Sequence, residues 1–140
     1  MVSKRYEPLV DKLFWIITIP TVVLLGATTV FAIFEPMVLL IMIPTDLLTF
    51  YFLVSPLFGY VELREDSLFI KYGLILKKEI PYEKIRGVIK KRSFMSYTTM
   101  SLKNAYDHLD IKYNKFDVTC VSVVNNDEFK KEIEEKINTN

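Results

Sequence analysis

The fold of this chain is decided by LFWIITIPTVVLLGATTVFAIF at residues 13–34 and MVLLIMIPTDLLTFYFLVSPLF at residues 37–58. Each run holds 22 residues, and Asp46 is the single charged side chain in the pair. A helix of that length extends about 33 Å, which matches a bilayer hydrocarbon core of about 30 Å. Because only Glu35 and Pro36 separate the runs, the sequence predicts a transmembrane hairpin of two helices.

The charges beside the two runs predict how the hairpin is oriented. Basic residues lie on both outer flanks: Lys4, Arg5 and Lys12 before the first run, and Arg64, Lys71, Lys77 and Lys78 after the second. The turn carries no Lys or Arg, so the positive-inside rule places both termini in the cytoplasm. We therefore expect residues 1–12 to be a cytoplasmic segment and residues 60–140 a cytoplasmic domain. A cleaved signal peptide is the alternative, but the first run exceeds the usual apolar region of about 7–15 residues.

Polar residues inside the runs mark a candidate intramembrane site. Asp46 lies near the middle of the second run, where a carboxyl group costs about 2.5–3.5 kcal/mol and usually faces protein or water. In a tight hairpin, Thr28 and Thr29 lie within about one turn of the position opposite Asp46, and a Thr hydroxyl can hydrogen-bond the carboxyl group. Two interpretations stay open, a structural link between the helices or a site for a proton, an ion or a partner.

The densest group of basic and aromatic residues follows the hairpin. Lys90, Lys91 and Arg92 precede Phe94 and Tyr97, within a segment (residues 60–115) of 12 basic and 7 acidic side chains. Beside a membrane, such a group can bind headgroups or a protein partner. A solvated strand edge is the alternative, and nucleic acid is not the expected partner.

Few residues suggest catalysis or metal binding. Cys120 is the only cysteine and lies in an apolar run, which is typical of a small buried side chain. His108 is the only histidine, and no second His or Cys stands near it in sequence. The four glycines form no phosphate-binding loop. We therefore expect no enzyme activity, no metal and no cofactor.

Beyond Gly59 the pattern changes to short alternating runs separated by turns. These predict strands at residues 60–63, 67–72, 74–80, 85–89, 109–113 and 118–124. Phe129, Ile133 and Ile137 recur every four residues, which predicts a final helix with one narrow apolar stripe and Asn125 as its N-cap.

Two stretches of this domain resemble a known family. YVELREDSLFIKYGLILKKEIPYEKIRGV (residues 60–88) and MSLKNAYDHLDIKYNKFDVTCVSVVNNDEFKKEI (residues 100–133) are similar to bacterial pleckstrin-homology-like (PH-like) domains that follow membrane hairpins. The matching positions are Ile80, Pro81, Tyr82, Lys84, Ile85, Ser101, Leu102, Leu109, Ile111, Tyr113, Ser122 and Phe129. One departure is Val123-Val124, where the family often has a proline after the serine.

The resemblance implies an α+β membrane protein: a hairpin, then a barrel or sandwich of about seven antiparallel strands capped by a C-terminal helix. It also implies a bacterial cell membrane, and a binding or scaffolding module that contacts a protein partner, the membrane surface or a second copy of the chain. Self-immunity against a membrane-active bacteriocin and a small accessory subunit of a transport complex are the alternatives.

Overall fold

The computed structural model describes residues 3–93, 98, 101–102 and 105–139. The helices are α1 (Lys12–Ala32), α2 (Pro36–Val54) and α3 (Asn126–Thr139). The strands are β1 (Lys4–Tyr6), β2 (Tyr60–Leu63), β3 (Ser67–Lys71), β4 (Lys77–Pro81), β5 (Ile85–Arg92), β6 (Ser101–Leu102), β7 (Asp107–Tyr113) and β8 (Asp117–Val121). A 3₁₀ turn, Ser55–Phe58, continues α2, and a second, Tyr82–Lys84, follows β4.

Helices α1 and α2 form the hairpin and pack against each other. Asp11 begins α1, since its carboxylate accepts a hydrogen bond of 2.9 Å from the Leu13 N–H. Pro36 begins α2 at a position where its missing N–H costs nothing. Both helices are long and apolar enough to cross a membrane. Their apolar side chains lie largely on the surface, with Phe31 79% and Leu40 70% exposed, and such a surface is unfavourable in water.

The strands form two four-stranded sheets. The first has the order β1-β2-β3-β4 and is wholly antiparallel. The second has the order β5-β7-β8-β6, and its β6–β8 pair is parallel. The expected seven antiparallel strands therefore become eight in the part of the chain that the structure describes. The extra strand is β1, and the parallel β6 is a two-residue strand too short to show an alternating pattern.

Strand β1 joins the N-terminal segment to the domain beyond the hairpin. Lys4, Arg5 and Tyr6 pair with Leu63, Glu62 and Val61 of β2. Farther along, the Leu9 N–H donates to the Ser122 carbonyl at 3.0 Å. Residues 1–12 were expected to form a separate segment, because three residues carry no periodicity from which a strand can be predicted.

Helix α3 covers the core between the sheets. Phe129 and Ile133 are fully buried there and Ile137 packs against them, so the apolar stripe docks as predicted. The helix starts at Asn126, whose side-chain oxygen accepts from the Val123 N–H at 3.0 Å. Asn125 precedes the helix at the N-cap position that the sequence predicts: its carbonyl accepts from the Phe129 N–H at 3.0 Å, and its φ of 64° is left-handed.

Candidate functional site

Inside the hairpin, Asp46 has a partner on the facing helix. The Thr29 hydroxyl donates to the Asp46 carboxyl group and also lies 2.9 Å from the Leu25 carbonyl. The Thr28 hydroxyl instead lies 2.9 Å from the Leu25 carbonyl and 3.0 Å from the Leu24 carbonyl, within its own helix. Of the two threonines singled out in the sequence, only Thr29 is therefore brought to Asp46.

This difference gives a matched test of the polar contact. Thr29→Val removes the donor to Asp46 and should loosen the hairpin by about 0.6–2 kcal/mol, the usual range for such bonds between membrane helices. Thr28→Val removes only bonds within α1 and should change the packing little. Disulfide cross-linking between cysteines placed on α1 and α2, followed across temperature, measures the difference. Equal effects of the two substitutions would contradict a specific contact.

Each described cation of the basic group faces an acid of the same domain. Lys90 Nζ lies 2.7 Å from Asp127, a hydrogen bond that raises the pKa of the ammonium group. Lys91 Nζ lies 2.9 Å from Asp110, and Arg92 Nε lies 3.6 Å from Asp107. Phe94 and Tyr97 lie outside the described residues.

The Lys91 pair differs from the Lys90 pair in burial. The Asp110 side chain is 13% exposed, whereas that of Asp127 is 82% exposed. Lys91→Ala should therefore destabilise the domain by about 1–3 kcal/mol, because it leaves a carboxylate with little access to water. Lys90→Ala should be almost neutral, since exposed ion pairs contribute little. Urea titration of both variants tests this, and equal losses would contradict the argument from burial.

A second cluster, which the sequence did not indicate, is buried on the second sheet, on the opposite face of β7 from Leu109 and Ile111. Donor atoms of His108, Asp110 and Cys120 all lie within 4.8 Å of one another. His108 and Asp110 are two residues apart on β7, and Cys120 is the cross-strand partner of Asp110 on β8. The sequence shows no cysteine close to His108, but the fold brings Cys120 beside it, because strand register pairs residues that are distant in sequence. The inference that His108 has no such neighbour is therefore wrong.

The cluster contains ligand types that suit zinc, but the Asp110 side chain is already engaged by two neighbours. His108 Nε2 lies 3.4 Å from one Asp110 oxygen, and the Lys91 ammonium group holds the other. His108 and Cys120 are 1% and 0% exposed, so neither side chain is accessible from solvent. The geometry fits a buried polar network that links β5, β7 and β8.

Contacts at the junction fasten both ends of the hairpin to the domain. Asp11, which caps α1, also accepts a hydrogen bond of 2.9 Å from the Tyr106 N–H. Ser55, at the end of α2, accepts one of 3.2 Å from the Leu74 N–H. Near Ser55, burial raises the pKa of Tyr72 to about 12. The Tyr72 hydroxyl therefore stays neutral and hydrogen-bonds Thr119 at 2.6 Å. An Asp before an apolar run signals a cap in the sequence, but its second partner depends on tertiary structure.

Comparison with known proteins agrees with this architecture. A model of the family described as "Bacterial PH domain" matches residues 59–137, more than half of the chain. No curated protein and no solved structure matches the chain. The match spans β2 to α3, the two sheets without β1 and the helix that caps them. The chain therefore belongs to the bacterial PH domain family.

Proposed function

We propose that this protein is a membrane-anchored, non-enzymatic PH module that holds a binding surface at the cytoplasmic face of a bacterial membrane. The hairpin of α1 and α2 spans the bilayer, and the two sheets with α3 form the cytoplasmic binding or scaffolding domain. Family membership supports a binding module, and the length and exposed apolar surface of both helices support the anchor.

One observation carries the proposal. Strand β1 precedes the hairpin, strand β2 follows it, and the two pair in one sheet with Tyr6 opposite Val61. This pairing supports an arrangement in which both ends of the hairpin lie on the same side of the membrane. Such a double connection restrains the position of the domain relative to the helices more than one flexible linker would.

Two polar clusters of the described residues are already engaged within the domain. Lys90, Lys91 and Arg92 are paired with acids, and the buried thiol of Cys120 is not accessible from solvent. At Asp46, the bond from Thr29 supports a structural link between helices over a transport pathway, because two helices alone enclose no pathway.

Cysteine accessibility tests the topology. Phe34, in the hairpin turn, and Phe116, between β7 and β8, are 84% and 83% exposed and form a matched pair. In a Cys120→Ala background, a membrane-impermeant maleimide should label Phe34→Cys in intact spheroplasts. It should label Phe116→Cys only after the membrane is permeabilised.

The result has clear alternatives. Labelling of Phe116→Cys before permeabilisation would overturn the cytoplasmic assignment. Release of the protein from membranes by alkaline carbonate would overturn the spanning hairpin.

A further inference from the structure

The loop between β3 and β4 is the starting point. Leu74, Ile75 and Leu76, here called the β3–β4 tip, are 46%, 73% and 51% exposed. The turn between β2 and β3 carries Arg64, Glu65 and Asp66 instead. Three consecutive exposed aliphatic side chains are costly in water, so an apolar environment should cover this tip.

The β3–β4 tip is held against the end of α2. The Tyr72 N–H donates to the Leu76 carbonyl at 2.8 Å and closes the loop, while the Leu74 N–H donates to Ser55. A Cβ atom on Gly73 would lie only 2.0 Å from Ser55 Oγ, so the close approach of the two segments requires glycine. The position of the tip relative to the helix is therefore set by close contact.

The β3–β4 tip also lies beside the last apolar turn of α2. Ile75 and Leu76 line a groove of about 410 Å³ together with Tyr51 and Phe52 of α2. Tyr51 and Phe52 precede Ser55 by one turn, so the groove extends about 5 Å farther along the helix toward the hairpin turn. Phe52 is itself 59% exposed, and the groove is therefore continuous with the apolar outer surface of α2.

Charges at the base of the β3–β4 tip complement an anionic surface. Lys71 and Lys77 are directly opposed in the register of β3 and β4. Like charges in that position repel each other, and anionic headgroups nearby would offset the repulsion. An apolar tip above a pair of opposed lysines matches the order of layers in a leaflet, with acyl chains inside and phosphates outside.

From this arrangement we infer that the β3–β4 tip enters the inner leaflet and that the groove beside α2 holds an acyl chain of an anionic phospholipid. The inference rests on the proposed membrane-spanning hairpin. The lipid seals the junction between hairpin and domain, and it restrains the domain at the membrane through a third contact besides the two chain connections.

Tryptophan quenching by brominated phospholipids tests both the inference and its premise. Trp15, the only tryptophan, reports on α1 in the wild-type protein. Ile75→Trp in a Trp15→Phe background reports on the groove, with Leu74→Trp as a second tip position. Phe116→Trp in the same background is the control, because Phe116 is 83% exposed in a different turn. The full-length protein is reconstituted in vesicles of phosphatidylcholine and phosphatidylglycerol with bromine on the acyl chains.

We expect Ile75→Trp and Leu74→Trp to lose emission to an extent comparable with Trp15, and Phe116→Trp to retain its emission. Quenching should be stronger when phosphatidylglycerol carries the bromine, and equal quenching by both lipids would overturn the role of the lysines. Quenched Trp15 with unquenched tip variants would overturn this inference alone and favour a protein as the occupant. Unquenched Trp15 would overturn the spanning hairpin itself.

Discussion

Replacing Phe129 with alanine is expected to lower the free energy of unfolding of the PH domain by about 3–5 kcal/mol. The Phe129 side chain is fully buried between the sheets and α3, and its ring centroid lies 4.9 Å from that of Tyr6 in an edge-to-face arrangement. The substitution leaves a cavity at the point where α3 meets β1. It should therefore loosen the N-terminal strand as well as the helix.

Urea unfolding in detergent, followed by near-ultraviolet circular dichroism of the domain tyrosines, measures this loss. Phe116→Ala is the matched control, since it makes the same chemical change at an 83% exposed position and should be nearly neutral. Hydrogen exchange should show faster exchange in β1 and α3 of the Phe129→Ala variant. Similar midpoints for the two variants would contradict the central position of Phe129 in the core.

Gly59→Ala is expected to destabilise the domain by about 1–3 kcal/mol, the usual cost of overpacking. An added Cβ would lie 2.4 Å from Leu102 Cδ1 and 2.6 Å from the Lys71 carbonyl oxygen. The backbone of Gly59 itself, with φ of −76°, suits any residue, so the expected loss is purely steric. Strands β3 and β6, which supply these two contacts, would have to move away from Gly59.

Gly87→Ala provides the comparison, because a Cβ there meets nothing within 4 Å. We expect Gly87→Ala to unfold at the wild-type urea concentration and Gly59→Ala at a lower one. If both variants behaved like the wild type, the close approach of β3 and β6 to Gly59 would be wrong.

Local patterns in the sequence predict most of the elements but not how they are joined. The 22-residue runs, the alternation in β2 and β3 and the stripe of α3 each repeat within a few residues, and each appears in the structure near its predicted position. The predicted strand at residues 74–80 begins only at Lys77, because its apolar start forms the β3–β4 tip. A run of aliphatic residues shows the same local sequence pattern whether it packs inside a sheet or lies against a bilayer.

For the candidate sites, the sequence points to residue types and the structure to their partners. Asp46 attracts attention because a carboxyl group within an apolar run is costly, yet only helix packing selects Thr29 over Thr28. The basic group reads as a free cationic surface until the fold brings Asp110 and Asp127 to it.

By itself, the sequence determined that the chain carries two helices of membrane-spanning length, a PH domain of short strands and a final amphipathic helix. Hydrophobicity and its periodicity are properties of short segments, so they can be identified directly in the sequence. Only the tertiary structure decided that β1 closes the first sheet across the hairpin, that Cys120 lies beside His108, and that the β3–β4 tip is hydrogen-bonded to the 3₁₀ turn that continues α2. These contacts join residues far apart in the chain, and their free energy depends on register and steric fit, which no local pattern encodes.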